Sequence, residues 1–310
     1  GQIGLIDDHA KFDRYIVSNK QMKMTPDPSQ ADSRFLYYYL SQPQWVDYVR
    51  SQAIGSSVPG FNLGQLRALQ VRVPHLTEQR AIAEVLGALD DKIAANGQLA
   101  NTADLLAASL TRRALDGVRV PLGQIAALTM GSSPPGNSYN EDGVGSVFYQ
   151  GVRDFGARFP TNRVWTTEPV RLAEPGDSLI SVRAPVGRVN RASELTCIGR
   201  GLAAARSLDG RPATLFYLLR HAPEVWEPYE AEGTVFGSIN KAQLTSLLVP
   251  SVRESERIAL ESWLAALEQR ITAALCESGT LTQVRDALLP QLMSGKIRVK
   301  DAERAVSEAV

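Results

Sequence analysis

The sequence predicts an α+β fold, with two globular domains, the first of them partial, separated by two long helices of coiled-coil periodicity. Three observations lead there: an internal repeat, two long stretches of heptad-spaced apolar residues, and a Gly- and Pro-punctuated region of short apolar runs between them. Gly55-Ser56 is followed by Asn62, Gln65 and Leu66, and Gly233-Thr234 by Asn240, Gln243 and Leu244, an offset of 178 (from 55 to 233). The same offset carries Glu78, Leu86, Leu89, Ile93, Leu110 and Gly117 onto Glu256, Leu264, Leu267, Ile271, Leu288 and Gly295. Upstream it drifts to 181 (from 35 to 216), pairing Phe35, Trp45 and Tyr48 with Phe216, Trp226 and Tyr229. Further back, Gly4 matches Gly187. Two Trp and several Gly in one order are the mark of a duplication. Copies of equal length would place about 65 residues ahead of Gly1, so a chain shortened at its front is expected.

The elements follow in order. Residues 1–76 hold the back part of the first globular domain. In 77–117, Ile82, Leu86, Leu89 and Ile93 recur at spacings of four and three, and Ala100, Ala103, Leu106 and Leu110 continue the stripe. Thr77 is the expected N-cap and Gly117 the expected terminator. A helix of ~38 residues spans ~55 Å, more than one ~34 Å turn of DNA. Residues 118–252 form the second globular domain, with short strands around Val147-Phe148-Tyr149, Ser178 to Val182 and Val186 to Val189. A helix is expected from Leu215 to Tyr229. In 253–300, Leu260, Leu264, Leu267, Ile271, Ala274 and Leu281 predict the second long helix, ending near Gly295. Pro290 should kink it or start a new one. Residues 301–310 are a tail.

Composition narrows the function. There are 33 Lys and Arg against 33 Asp and Glu, so no basic tail or acidic disordered chain is indicated. No apolar run reaches membrane-spanning length. Cys197 and Cys276 build neither a disulfide framework nor a zinc site, which points to a reducing cytoplasm. The charge is unevenly spread. Between Arg153 and Arg206 lie nine Arg, five acids and no Lys. Arg153, Arg158, Arg163, Arg183, Arg188, Arg191 and Arg200 are candidate contacts to guanine or phosphate, and a solvated Arg-rich surface reads the same way.

Enzymatic motifs are missing or incomplete. No Gly-x-x-x-x-Gly-Lys-Ser/Thr loop occurs, and Ser294-Gly295-Lys296-Ile297 has only its Gly-Lys pair. Ser133-Pro134-Pro135-Gly136 approximates an amino-methyltransferase loop but has Gly where an aromatic would stack on a flipped base. Asp90-Asp91-Lys92 lies on the heptad helix, where charges are expected. His9, His75 and His221 have no ligand spacing. The loop at 55–62 and its counterpart at 233–241 either cradle phosphate or dock the following helix. Glu224, Glu227, Glu230 and Glu232 read as a solvated face. No catalytic residue, cofactor or metal site is assigned.

The run Gly55-Ser56-Ser57 … Asn62-Leu63 … Val73-Pro74 … Glu78-Gln79-Arg80-Ala81-Ile82-Ala83 … Leu89-Asp90-Asp91-Lys92-Ile93 resembles the specificity subunits of type I restriction-modification enzymes. Leu288-Leu289-Pro290-Gln291-Leu292-Met293-Ser294-Gly295-Lys296-Ile297 is similar to that family's C-terminal helix end. Gly131-Ser132-Ser133-Pro134 and Gly176-Asp177-Ser178-Leu179 … Gly187 are similar to its target-recognition domain.

The resemblance implies two target-recognition domains, each reading half of a split double-stranded DNA site, separated by two long antiparallel coiled-coil helices. It implies a methyltransferase subunit and a motor-nuclease subunit as partners, no membrane, and no chemistry in this chain. The first domain holds only its back half here, so the expectation is a bipartite site or only the half met by the second domain. Tyr149, Gln150 and Arg153, at a strand-to-loop junction, are expected at base edges, Gln150 paired to adenine. Arg183 and Arg188 flank the turn at Pro185 to Gly187 and reach phosphate or guanine. Asn240 and Lys241 position the DNA backbone, and Ser238 is a further DNA-binding candidate. A coiled-coil adaptor that binds protein and reads no DNA is the alternative.

Overall fold

The computed structural model describes residues 3–6, 14–18, 21–52, 60–229 and 237–309. Its helices are α1 (Ser33–Ser41), α2 (Pro43–Ser51), α3 (Leu63–Arg67), α4 (Leu76–Ala114), α5 (Leu122–Ile125), α6 (Pro212–Arg220), α7 (Lys241–Ser246), α8 (Arg257–Met293) and α9 (Val299–Ala309). The strands are β1 (Leu115–Pro121), β2 (Ala126–Met130), β3 (Tyr139–Asn140), β4 (Ser146–Tyr149), β5 (Trp165–Thr166), β6 (Leu172–Ala173), β7 (Ser178–Ser181), β8 (Val189–Arg191), β9 (Thr196–Ile198), β10 (Leu202–Ser207) and β11 (Leu248–Val252). The chain divides into two compact units, Gly1–Ala100 with Ala273–Val310, and Asn101–Thr272.

In the first unit the heptad face of α4 (Ile82, Leu86, Leu89) packs on α8 (Leu281, Leu288, Leu292) and on Phe35, Leu36 and Tyr38 of α1. The helices run antiparallel there: Asn96 Nδ2 donates to Glu277 at 2.8 Å, and eight residues further along α8 Arg285 Nη1 donates to Asp90 at 2.7 Å. Asp90 also accepts from the Tyr38 hydroxyl at 2.6 Å, so the acidic pair on the helix serves packing. Gln79 is fully buried. Its amide nitrogen donates to the carbonyls of Gln30 (3.0 Å) and Pro74 (2.8 Å), and its oxygen accepts from Asp32 N–H (3.0 Å). A buried amide is tolerable only when so satisfied.

Several local expectations shift. α4 starts at Leu76, and the His75 carbonyl takes the N–H groups of Glu78 and Gln79, so Thr77 sits in the first turn rather than at the cap. α4 also stops at Ala114 and leads straight into β1. Gly117 (φ 81°) stands instead where the β1–β11 register shifts, a bulge that needs a left-handed residue. α6 ends at Arg220, short of Tyr229, because Pro223 cannot extend it and biases Ala222 out of the helical region. α8 runs through Pro290 without restarting; so near the end the ring removes one hydrogen bond only. Beyond it, Lys296 N–H bonds Gln291 O (2.9 Å) and Gly295 N–H bonds Leu292 O (3.1 Å) with Gly295 at φ 70°, the double bond pattern of a left-handed helix cap. Residues 299–309 are helical, with Ala302 buried and Val299, Ala305 and Val306 packed on the first unit's core.

The second unit holds three sheets, ordered β1-β11, β2-β10-β7-β8 and β3-β5-β4-β9-β6. Its larger core joins Ile180, Ala203, Phe216, Leu219, Trp226 and Val249 to Ala107 of α4 and Leu260 and Leu264 of α8. Through this core runs a charged cluster. Arg158, 4% exposed, bonds Asp104 of α4 at 2.6 Å, pairs with Glu268 of α8, and donates to the Tyr217 hydroxyl at 2.7 Å. Arg191 meets the other Glu268 oxygen at 2.8 Å. The Phe216 ring lies under the guanidiniums of Arg158, Arg191 and Arg220 at 4.9 to 5.6 Å, and the His221 ring stacks on Tyr217.

Burial works against the Asp104 charge, but bonds from His221 and Arg158 and the nearby Arg220 outweigh it and hold its carboxyl well below the usual range. Burial pushes the Tyr217 hydroxyl up to about 12. Because Asp104 titrates below its unfolded value of about 3.9, its stabilisation is complete above that pH and is lost as pH falls beneath it. Asp104→Asn should therefore lower stability at pH 7 and flatten its decline below pH 4, measured as urea midpoints against pH. Glu268→Ala, which removes the carboxylate shared by Arg158 and Arg191, should cost about 3–5 kcal/mol in the same assay.

Candidate nucleic-acid interface

One rim of the second unit gathers loops from distant parts of the chain. The turn at Gly199 to Gly201, between β9 and β10, is its centre. Gly199 N–H bonds Tyr149 O at 2.8 Å, Ser132 N–H bonds Ile198 O at 2.9 Å, and Val182 N–H bonds Gly201 O at 2.9 Å. Ile239 N–H then bonds Val182 O at 3.0 Å, and Arg183 bridges Ser238. Residues 131–133, 149–151, 182–183, 199–201 and 238–239 thus share one edge. The approach is closest at two glycines. A Cβ on Gly131 would stand 2.1 Å from the Gly199 carbonyl oxygen, and one on Gly201 would stand 2.6 Å from the Gln150 carbonyl oxygen.

Of the expected site residues, Gln150 and Arg183 lie exposed on this rim with Ser238. Gln150 is aimed by its backbone, because its N–H bonds Asp154 Oδ2 at 2.7 Å. Arg153 is exposed on the turn that follows. Arg188 is exposed beyond the β7–β8 turn, its N–H bonded to Ser181 Oγ at 2.9 Å. Tyr149 is different. It is 1% exposed and its hydroxyl donates to Asn162 at 2.6 Å, so it supports the junction from beneath instead of reaching a base. Burial holds that hydroxyl neutral, well above its ordinary pKa. Asn240 is exposed, but its side chain caps α7: Oδ1 accepts Gln243 N–H at 3.0 Å and Gln243 Oε1 accepts Asn240 N–H at 2.9 Å. Lys241 is exposed in the first turn of α7.

The wider set of arginines splits in two. Arg158 is buried in the charged cluster and Arg191 is half-buried beside it. Arg163 pairs with Asp154, and Arg206 bonds Asp177 at 2.9 Å and Glu174 at 2.7 Å. Arg153, Arg171, Arg183, Arg188 and Arg200 are exposed and, among the described residues, meet no carboxylate. The positive charge of this segment is therefore concentrated on surface loops. Among the described residues no group of three or more His, Cys, Asp or Glu could hold a metal ion, and no helix is long and apolar enough to cross a membrane. The phosphate-loop expectation at 55–59 and 233–236 falls outside the described residues, as do His9, Glu230 and Glu232.

Residues 1–104 match the family model described as type I restriction modification DNA specificity domain. Over 305 residues the chain is 30% identical to the protein named as the type I restriction enzyme MjaX specificity subunit of Methanocaldococcus jannaschii, covering 89% of this chain and 71% of that one. It is 26% identical over 101 residues to the HindI specificity subunit of Haemophilus influenzae, 32% of this chain and 22% of that one. In fold it is similar to the type I restriction-modification S subunit of M. genitalium, with a TM-score of 0.64 at 19% identity, over 86% of this chain and 74% of that one. The chain belongs to the family of type I restriction enzyme specificity subunits.

The rim depends on its tight glycines. Gly131→Ala should displace the Gly199 turn, lower stability by about 1–3 kcal/mol and expose the Ser132 and Leu202 amides to faster hydrogen exchange.

Proposed function

We propose that this chain is the DNA-reading subunit of a type I restriction-modification complex in the cytoplasm, bringing methyltransferase and motor-nuclease subunits to a split site and doing no chemistry itself. Residues 118–252 form the target-recognition domain for one half-site, 1–76 the back part of a second, and 77–117 and 253–300 the spacer helices. The observation that carries this reading is the rim of the second unit. Exposed arginines that meet no carboxylate among the described residues stand on and beside it with Gln150, on loops whose backbones are bonded to the sheets, the arrangement that base and phosphate contacts require. Arg153, Arg183, Arg188 and Lys241 supply phosphate contacts, and Gln150 and Ser238 approach base edges.

With the methyltransferase partner present, binding to duplex DNA should weaken with salt at about −0.9 log units per phosphate contact. Replacing Arg153, Arg183 and Arg188 together by Ala should make that slope shallower by about 2–3. An unchanged slope removes the reading.

The partner surface is on the helices. Within the second unit α8 exposes Ile258 (83%) and Trp263 (65%), and α4 exposes Leu105 (62%), large side chains that a free helix surface seldom carries together. Trp263→Asp should abolish co-purification with the methyltransferase subunit while leaving the thermal midpoint of the chain within a few degrees.

A further inference from the structure

We propose that Arg200 is the specificity-determining residue for a guanine in the half-site met by the second unit, an inference that rests on the DNA-reading function above. Base readout and phosphate contact make different demands. A phosphate accepts a cation from many directions, so a mobile side chain serves. Guanine O6 and N7 form a fixed acceptor pair that needs a planar fork set in place beforehand. Among the exposed arginines of the rim, Arg153, Arg183 and Arg188 have no side-chain partner among the described residues. Arg200 does: its Nε donates to Ser133 Oγ at 3.3 Å. That contact takes the side edge of the guanidinium and leaves the two terminal nitrogens as the free fork.

The backbone beneath it is equally constrained. Gly199 N–H and C=O are both engaged, with Tyr149 O at 2.8 Å and Leu202 N–H at 2.9 Å, and Gly201 O accepts Val182 N–H at 2.9 Å. Glycines on both sides let the turn press against the Gln150 backbone and the Gly131 strand end, where a side chain would collide. Asp154, the carboxylate of the loop that follows Gln150, is occupied by the amides of Gln150 and Gly151 and by Arg163. The Arg200 fork is therefore held toward Ser133 on a turn packed against the Gln150 backbone, with no carboxylate neutralising it among the described residues. Fixing the fork in advance removes much of the ordering cost of a base contact.

The test uses the complex with the methyltransferase subunit. The preferred sequence is selected from randomised duplex DNA for the unaltered complex and for R200A, R200K, R183A and S133A, with thermal midpoints and salt slopes measured alongside. The expected result is one position where guanine is required and where R200A alone relaxes discrimination by about 5- to 150-fold, with other positions unchanged. R200K should recover overall affinity without recovering the guanine requirement, S133A should relax the same position by a smaller factor, and R183A should weaken all sequences alike. R200A weakening all sequences equally would make Arg200 a phosphate contact and overturn the proposal, as would an unaltered preference. Both results leave DNA reading itself intact. An unmutated complex that binds every duplex alike would remove the DNA-reading function, and this proposal with it.

Discussion

Arg158 joins three parts of the second unit that have no covalent reason to stay together. It comes from the loop before β5, and its partners are Asp104 on α4, Glu268 on α8 and Tyr217 on α6. A charge so deeply buried is costly unless it is paired, and here two carboxylates and a phenol meet its terminal nitrogens and an aromatic face meets its plane, while Nε has no hydrogen-bond partner among the described residues. Arginine suits the place because its planar fork can bond two carboxylates while its face lies on Phe216. The anchor also reaches a sheet, since the Arg158 carbonyl accepts the N–H of Arg191 at the end of β8 at 2.9 Å.

The two repeat copies solve one packing problem with different chemistry. In each, a helix beginning near an aromatic pair docks on a long helix, with Phe35 and Phe216 both buried. In the first copy α1 is capped by its own Asp32, whose Oδ1 accepts Phe35 N–H at 2.9 Å, and Gln79 secures the segment before it. In the second copy Ala213 stands where Asp32 would, and the cap comes from α8 instead: Glu261 accepts Ala213 N–H at 3.1 Å and Thr214 N–H at 2.7 Å. Either carboxylate satisfies helix-start donors and favours the positive end of the helix dipole. The short helices α3 and α7, by contrast, keep the same Asn-Gln capping box in both copies. Where the structural requirement is purely local, the residues persist; where it is shared between elements, they trade places.

This distinction explains what could be read from the amino acids alone. The heptad spacing located both long helices to within a few residues at either end, and Gly295 and the Asn-Gln boxes marked local geometry, because each signal is contained in a short window. The role of each arginine was not contained in a window. Arg158 finds Asp104 across 54 residues and Arg191 finds Glu268 across 77, so the stretch read as one run of nine arginines while the fold divides it into buried anchors and free surface groups. The burial of Tyr149 is hidden for a related reason: it follows Val147 and Phe148 in a strand buried on both faces, where the alternation that separates inside from outside is lost. Arg200 carried a signal that was available, a cation flanked by two glycines, a pattern that marks a close backbone approach.

Zero net charge and the proposed DNA-reading function are compatible for the same physical reason. Pairing within the fold consumes acids and bases together, as at Arg285 with Asp90 and Asp286, or Arg206 with Asp177 and Glu174, where one guanidinium meets two carboxylates. What governs a polyanion's approach is the residue of charge left unpaired within a Debye length of the surface, about 8 Å in physiological salt, and total charge carries little information on it. A reader that must release wrong sequences gains from such an arrangement. A strongly basic molecule would hold any DNA through phosphates, whereas a few unpaired arginines on locked loops leave a larger share of the binding free energy to base contacts, and so to sequence.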